Sequence, residues 1–194
     1  MNEHLEIVGG NPLCGTLKAA GNKNAVLPMI AAALLTDQPV TLSNVPRIMD
    51  VRIMVEIAER LGVKAAWSAD GEELTLQAEE LNGVELDRDL CTRVRASILF
   101  AAPLLARCGE ARMYPPGGDV IGRRRVDVHI EVLTALGAES DIADNFHFTA
   151  TNGLKGSDIF LPEASVTGTE QLLMAASRTP GRTVIRNAAQ EPHV

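Results

Sequence analysis

The stretch Thr36-Asp-Gln-Pro-Val-Thr-Leu-Ser-Asn44 returns 143 residues later as Thr179-Pro-Gly-Arg-Thr-Val-Ile-Arg-Asn187. Both copies read as a turn followed by a short alternating strand that ends in Asn. An Ala-rich stretch typical of a helix precedes each copy, at residues 31–33 and 175–176. Similarity at a fixed offset indicates that one supersecondary unit is repeated along the chain.

A second pair of matching stretches shows how the unit continues. Ile53-Met-Val-Glu-Ile-Ala-Glu-Arg-Leu-Gly62 and Val128-His-Ile-Glu-Val-Leu-Thr-Ala-Leu-Gly137 lie 75 residues apart. Each predicts an amphipathic helix closed by a left-handed glycine. A turn signal follows each, Asp70-Gly71 or Asp144-Asn145, between two apolar runs, which predicts a hairpin. The unit is therefore helix, strand, helix, strand, strand, and the fold class is α/β (α+β).

A middle copy fits between these two, with a helix over residues 95–105 and a strand over 110–114. We expect three units, at 20–88, 89–155 and 156–194. The third unit reaches only its first helix and strand before the sequence ends. An unfinished unit would leave apolar faces uncovered, so we expect a truncated sequence.

The composition excludes several classes of protein. There are 18 Lys and Arg against 25 Asp and Glu, a net charge of −7, which argues against bulk binding of nucleic acid or an anionic membrane. No apolar run reaches the roughly 20 residues of a membrane span, and the N-terminus lacks the layout of a signal peptide. The three cysteines and four scattered histidines predict a cytoplasmic chain with no disulfide framework and no metal site.

The stretch Gly21-Asn-Lys-Asn-Ala-Val-Leu-Pro28 leads into the first predicted helix. Proline is tolerated in a first turn but not deep in a helix, so we expect Pro28 within the first turn. Lys23 and Asn24 would there form an anion site, because free N–H groups, the helix dipole, a cation and an amide converge. The alternative is a solvated Lys23 and a capping Asn24.

A glycine-rich loop precedes the helix of the middle unit. Gly117 and Gly118 allow close approach, and the run Arg123 to Arg125 that follows is suited to binding phosphate. The loop is not a Walker A motif, because Gly122 is not followed by Lys and Ser or Thr. Asp119 could donate or accept a proton there. The alternative is a turn aspartate paired with a neighbouring arginine.

The stretch Ser165-Val-Thr-Gly-Thr-Glu170 opens the helix of the third unit. Thr167 and Glu170 fit a capping box, and the hydroxyl and N–H groups could hold a diphosphate. The alternative is a well-capped helix with no ligand. Arg95 begins the equivalent helix of the middle unit, where a lone arginine is usually surface charge. Because Lys23 begins that of the first unit, we expect the three helix starts to converge on one anionic ligand.

With these motifs in this order, the sequence resembles the UDP-N-acetylglucosamine 1-carboxyvinyltransferases, a group within the enolpyruvyl transferase family. The resemblance covers nearly all 194 residues. It is carried by Gly21 to Pro28, Arg95-Ala-Ser97, Pro103-Leu-Leu-Ala-Arg107, the Pro116-Gly-Gly loop with Ile121-Gly122, Val126-Asp-Val-His129, Ser165 to Glu170, and Asn187-Ala-Ala-Gln-Glu-Pro192. It implies an inside-out α/β barrel fold, in which two pseudo-threefold domains of βαβαββ units enclose the substrates. It also implies that residues 1–19 belong to the second domain and 20–194 to the first.

The resemblance implies transfer of the enolpyruvyl group of phosphoenolpyruvate to the 3′-hydroxyl of UDP-N-acetylglucosamine. Phosphate leaves after a tetrahedral intermediate, in the first committed step of peptidoglycan synthesis, and neither cofactor nor metal is needed. Lys23 would meet phosphoenolpyruvate as a catalytic group. The substrate-binding residues so implied are Lys23, Asn24, Arg95, Arg124, Arg125, Val126, Asp127, Val128, Ser165 and Val166, with His129, Glu163 and Thr167 as further candidates.

The sequence departs from the pattern of this family at three positions. Asp119 stands where most members have cysteine, which implies that Asp119 is the proton donor and that fosfomycin, which alkylates the thiol, is not effective. Arg125 stands where proline is usual, and Glu163 stands near a position that is basic in some members.

Groups that the second domain of this family supplies have no counterpart in the 194 residues. We therefore expect the chain to be inactive without the C-terminal half of the same enzyme. Two alternatives remain open. One is another enolpyruvyl transferase, such as that of the shikimate pathway. The other is a non-catalytic protein that binds UDP-sugars.

Overall fold

The computed structural model describes residues 4–118 and 125–194. Residues 4–20 contain neither helix nor strand. Lys18 in this segment pairs with Glu72 at 2.8 Å. The large apolar side chains of the segment are almost fully exposed, namely Leu5, Ile7, Val8, Leu13 and Leu17.

The first unit contains the predicted elements in the predicted order. They are α1 (Lys23–Ala32), β1 (Val40–Leu42), α2 (Met49–Arg60), β2 (Lys64–Trp67) and β3 (Leu74–Gln77). The strands form an antiparallel sheet in the order β1-β3-β2, in which Thr75 pairs with both Thr41 and Ala66. Gly62, which follows α2, has a φ of 101°, so the hairpin and the left-handed glycine are both confirmed.

The expected position of Pro28 in α1 is wrong. The side chain of Asn22 accepts the N–H of Asn24 at 2.8 Å and begins the helix at Lys23. Pro28 therefore lies in the second turn, and the helix continues through it to Ala32. Since proline has no N–H, the carbonyl of Asn24 lacks its usual partner four residues ahead.

The second unit contains this order with a short helix and a 3₁₀ turn added before its first long helix. It contains α3 (Arg88–Cys91), a 3₁₀ turn (Arg95–Phe100), α4 (Ala101–Cys108), β4 (Glu110–Met113), α5 (Asp127–Ala135), β5 (Glu139–Ile142) and β6 (Phe146–Thr149). The sheet order is β4-β6-β5, which corresponds to the order of the first sheet. The predicted hairpin is confirmed, but the single helix expected over 95–105 begins as the 3₁₀ turn.

The third unit contains β7 (Asp158–Phe160), α6 (Val166–Ser177) and β8 (Val184–Arg186). The two strands pair in parallel, with Ile159 opposite Ile185. The sequence predicted α6 and β8 but not β7. No helix in the described ranges is long and apolar enough to cross a bilayer.

The first helices of the three units pack together in the middle of the core. α1, α6 and α4 with its 3₁₀ turn contact one another through side chains such as Ile30, Leu99 and Leu172, all fully buried. Two arginines bind carbonyl oxygens of other units. Arg107 donates to Ala78 O at 2.6 Å and to Leu34 O at 3.0 Å, and Arg178 donates to Leu35 O at 2.8 Å.

Candidate functional site

A cleft of about 490 Å³ lies where the 3₁₀ turn of the second unit, the start of α5 and the start of α6 meet. Its lining combines basic, acidic and hydroxyl groups, which suits a polar ligand. Most of the predicted site residues are there. The lining residues are Arg95, Arg125, Asp127, Val128, His129, Glu131, Pro162, Glu163, Ser165 and Thr167.

Ser165 opens α6 at the edge of the cleft. Its backbone is extended (φ −73°, ψ 122°), and its Oγ accepts the N–H of Gly168 at 3.1 Å. The capping box predicted from Thr167 and Glu170 is therefore wrong, because Thr167 already lies inside the helix. Thr169 donates its hydroxyl to Ser165 O at 2.7 Å, which ties the first turn together. The Ser165 hydroxyl proton stays available to a ligand.

Gly168 lets α5 and α6 approach each other closely at the cleft. A Cβ atom placed on Gly168 would lie 2.6 Å from Cγ1 of Val128, on α5. A larger residue would therefore require the Val128 side chain to move. Val166 is the first residue of α6 and is half-buried beside this contact.

Arg95 and Arg125 connect two walls of the cleft. Arg95 donates a hydrogen bond to the backbone carbonyl of Arg125, while the Arg125 side chain pairs with Asp127 at the start of α5. The Arg125 side chain is 77% exposed, so this pair is open to solvent and can rearrange around a ligand. Val126 precedes α5 and packs against the core.

His129 lies under the floor of the cleft and is only 3% exposed. Its Nδ1 contacts Oε1 of Gln171, and its Nε2 is 3.1 Å from Oγ1 of Thr167. Burial lowers the pKa of His129 to about 4, and the positive charge of Arg95 acts in the same direction against the opposing contact with Gln171. The imidazole is therefore neutral at physiological pH.

Two buried polar residues of α6 were not predicted. Gln171 is fully buried and Glu170 is 6% exposed. Burial raises the pKa of Glu170 to about 7, with a further contribution from the negative charge of Glu191. His193 is near, with its Nε2 3.8 Å from Oε1 of Glu170. No local signal marks them as buried, because Glu and Gln near a helix start are usually exposed.

Lys23 and Asn24 lie at the start of α1 and do not line the cleft. The Lys23 ammonium pairs with Asp50 on α2 and is about half-exposed. Asn24 does not cap the helix, since Asn22 does, and this part of the alternative is wrong. The convergence of all three helix starts on one ligand stays a prediction, because only two of them meet in the cleft.

The glycine loop lies close to residues 91–95, at the start of the same unit, and its glycines allow this close approach as predicted. Gly117 donates its N–H to Cys91 O at 3.0 Å, and a Cβ atom on it would lie 1.6 Å from Thr92 O. Gly118 has a φ of 97° and lies against Arg95. The predicted Asp119, Arg123 and Arg124 lie outside the described residues.

The described residues contain no group of three His, Cys, Asp or Glu side chains arranged to hold a metal ion. Cys14, Cys91 and Cys108 are unpaired thiols, and only Cys91 is buried.

Comparison with known proteins gives a family and a fold. The model of the family EPSP synthase (3-phosphoshikimate 1-carboxyvinyltransferase) matches residues 7–194. A UDP-N-acetylglucosamine 1-carboxyvinyltransferase of Bradyrhizobium diazoefficiens is 52% identical over 188 residues, which are 97% of this chain and 43% of that protein. One from Treponema denticola is 53% identical over 194 residues, 100% of this chain and 45% of that protein. The chain thus spans somewhat under half the length of these relatives.

Two solved structures have the same fold at low identity. The enolpyruvyl transferase NikO from Streptomyces tendae matches with a TM-score of 0.82 and 23% identity, over 96% of this chain and 43% of that chain. EPSP synthase from Acinetobacter baumannii matches with a TM-score of 0.72 and 17% identity, over 92% and 42%. The α/β fold of the enolpyruvyl transferases is therefore confirmed for this chain.

Proposed function

The chain belongs to the EPSP synthase family of enolpyruvyl transferases, and we propose that it supplies the nucleotide-sugar site of a UDP-N-acetylglucosamine 1-carboxyvinyltransferase. The observation that carries the proposal is the cleft between the starts of α5 and α6, with Arg95 beside it. Identity of about half with relatives of that description supports the choice of substrate within the family. The product is enolpyruvyl-UDP-N-acetylglucosamine, made for peptidoglycan synthesis.

Each wall of the cleft has a role in this proposal. Arg95 and Arg125 bind the diphosphate, since guanidinium groups pair with oxyanions in a forked geometry. The first turn of α6 adds backbone N–H groups and the Ser165 hydroxyl. Asp127 and Val128 contact the nucleoside. Glu163, exposed at the rim, would repel the diphosphate, so in this proposal it accepts a ligand hydroxyl.

The chemistry that we propose takes place next to this cleft, at the phosphoenolpyruvate site. Lys23 leaves Asp50 to bind the phosphoenolpyruvate anion, and Asn24 and Arg124 assist it. The sugar 3′-hydroxyl adds to C2 of phosphoenolpyruvate and gives its proton to a base, which the second domain would supply, while Asp119 protonates C3, giving a tetrahedral intermediate. A base then takes a proton from C3 and phosphate leaves from C2, which restores the double bond. Closure of the site would raise the pKa of the Asp119 carboxyl and keep it protonated.

The domain organisation is part of the same proposal. We take residues 20–88, 89–155 and 156–194 as three units of a pseudo-threefold barrel, supported by the matching orders of the two three-stranded sheets. The exposed apolar side chains within residues 4–19 support the assignment of residues 1–19 to a second domain. The free thiols support a reducing, cytoplasmic location. We propose neither nucleic acid nor a membrane as a partner.

The test measures phosphate release by the complete product of the gene that encodes this chain. Release should require both phosphoenolpyruvate and UDP-N-acetylglucosamine, and removal of either substrate should abolish it. Replacement of the acceptor by shikimate 3-phosphate should give none. Turnover with shikimate 3-phosphate alone would instead assign the shikimate-pathway reaction, and binding of UDP-N-acetylglucosamine without phosphate release would assign a non-catalytic protein.

The role of Asp119 has its own experiment. Fosfomycin should leave the wild-type enzyme active and unlabelled, while the variant Asp119→Cys should be alkylated at the new thiol and inactivated. The variant Asp119→Asn should lose turnover but keep affinity for UDP-N-acetylglucosamine, because it removes only the proton. Mass-spectrometric detection of a fosfomycin adduct on Asp119 would contradict the proposal.

A further inference from the structure

Three side chains form a continuous polar chain from the core to the cleft. Gln171 is fully buried on α6, His129 is 3% exposed on α5, and Thr167 lines the cleft one helical turn before Gln171. Oε1 of Gln171 contacts Nδ1 of His129, and Nε2 of His129 is 3.1 Å from Oγ1 of Thr167. Thr167, at the outer end of this series, lines the cleft, whereas Gln171, at the inner end, does not.

With the Gln171 amide oriented as in the structure, elementary valence fixes the hydrogen atoms along these three side chains. The carbonyl oxygen of Gln171 can only accept, so Nδ1 of His129 has to carry the ring proton. A neutral imidazole has one such proton, so its Nε2 is an acceptor, and Thr167 has to donate its hydroxyl to it. The Thr167 oxygen then has only lone pairs left for the cleft. Burial keeps the ring neutral by lowering the pKa of His129 to about 4.

We propose that Gln171 is a positioning residue, which sets the tautomer of His129 and so makes the Thr167 hydroxyl a hydrogen-bond acceptor in the cleft. The site therefore selects a ligand that presents a neutral N–H or O–H donor at Thr167. This inference rests on the proposed function for the identity of the ligand, a nucleotide sugar. It does not rest on that function for the tautomer.

Stability alone does not account for an amide at position 171. Nε2 of Gln171 is buried with no hydrogen-bond partner among the described residues. A methionine would fill a similar volume without burying an unpaired donor. In the opposite orientation of the amide, Nε2 of Gln171 would donate to Nδ1 of His129. The ring proton would then lie on Nε2 and be donated to Thr167, whose hydroxyl would be free to act as a donor in the cleft. The two orientations therefore predict opposite tautomers, which can be measured.

The first experiment is ¹⁵N NMR of histidine-labelled protein at pH 7, without ligand. We expect Nδ1 of His129 to be protonated and Nε2 to be bare. The variant Gln171→Met should lose this preference and shift toward the Nε2–H form. Protonation at Nε2 in the wild-type protein would overturn the proposal, and so would an unchanged tautomer in Gln171→Met.

The second experiment measures the affinity for UDP-N-acetylglucosamine by calorimetry on the complete gene product. Gln171→Met and Thr167→Val should each weaken binding about tenfold, as expected for one lost hydrogen bond in a ligand site. The double variant should bind UDP-N-acetylglucosamine no more weakly than either single variant, because both substitutions interrupt the same series of hydrogen bonds. Thr167→Ser, which keeps the hydroxyl, should bind like the wild type.

A matched core variant separates positioning from loss of stability. Leu172→Met changes the fully buried neighbour of Gln171 and should lower Tm without changing affinity or tautomer. Additive losses in the double variant, or wild-type affinity in Gln171→Met, would overturn the proposal. If the wild-type protein bound no UDP-N-acetylglucosamine, the proposed function would fail, while the NMR experiment would still decide the tautomer.

Discussion

Asn44 and Asn187 lie 143 residues apart and share a left-handed backbone, with φ of 52° and 57°. They are the two non-glycine residues with positive φ among the residues described. Each follows the strand that leads away from the first helix of its unit, β1 or β8. The two aligned nine-residue stretches thus end in the same backbone geometry.

This relationship predicts how the two asparagines respond to substitution. Asn44→Ala should lower the free energy of unfolding by about 1 kcal/mol, because a Cβ-bearing residue without a local polar group is disfavoured at positive φ. Asn44→Gly should be nearly neutral. Asn187→Ala should cost more, since the Asn187 side chain also donates to Leu161 O at 2.9 Å.

Urea unfolding of these variants provides the measurement. The control is Asn152→Ala, an exposed turn asparagine that is absent from the set with positive φ, and its effect should stay within about 0.5 kcal/mol. Equal losses for the Ala and Gly variants at position 44 would show that backbone strain is not the cause.

Local signals in the sequence were enough to predict the hairpins and the helix ends. Gly62 and Gly137 have φ of 101° and 98°, as a glycine directly after a helix should. Strand β7 was missed because its partner β8 lies more than twenty residues away and pairs in parallel. The start of α6 was misplaced because Ser165, Thr167 and Thr169 are all acceptable caps, and only backbone geometry selects Ser165.

In the candidate site, too, local signals found some residues and missed those that depend on distant contacts. Arg95 and Ser165 could be singled out because each stands at a helix start, whereas Asp127 was reached only through the resemblance to the family. Gln171 and Glu170 could not be predicted, because the groups that act on them, His129 and Glu191, lie far away in the sequence. A buried polar residue is recognisable only when its tertiary contacts are known.

The close approach of Gly117 to Thr92 predicts a sharp response to one methyl group. Gly117→Ala should displace the loop, because the added carbon would meet Thr92 O at 1.6 Å. If the loop carries the proton donor, the kcat of the complete gene product should fall by at least about tenfold while its Tm changes little. The control is Gly83→Ala, where the new Cβ meets nothing within 4 Å. Equal kcat values for the two variants would contradict this prediction.

The two roles of Ser165 can be separated by two substitutions. Ser165→Ala removes the acceptor for the Gly168 N–H and should lower the free energy of unfolding by about 1 kcal/mol. Ser165→Asp keeps the cap and should preserve stability. Its negative charge should nevertheless weaken binding of a diphosphate by about tenfold or more at low salt, as measured by calorimetry. Unchanged affinity in Ser165→Asp would exclude a diphosphate at the start of α6.

The opposite pKa shifts of His129 and Glu170 predict how stability depends on pH. The pKa of His129 is lowered from 6.5 to about 4, so the unfolded chain binds this proton first. The free energy of unfolding should therefore fall, by about 3 kcal/mol at most, as pH decreases from 6.5 to 4. The pKa of Glu170 is raised from 4.5 to about 7, so the unfolded chain releases that proton first. The contribution of Glu170 to the free energy of unfolding should therefore be lost as pH rises from 4.5 to 7.

The variant Glu170→Gln isolates the second effect. It removes the buried carboxyl beside Glu191 and His193, so its free energy of unfolding should gain on the wild type progressively between pH 4.5 and 7. The acid-side loss due to His129 should remain in this variant. Glu80→Gln, at an exposed carboxyl, should follow the wild-type curve throughout. Urea unfolding at unit intervals of pH measures all three curves, and a constant difference between Glu170→Gln and the wild type would show that Glu170 is not protonated in the folded chain.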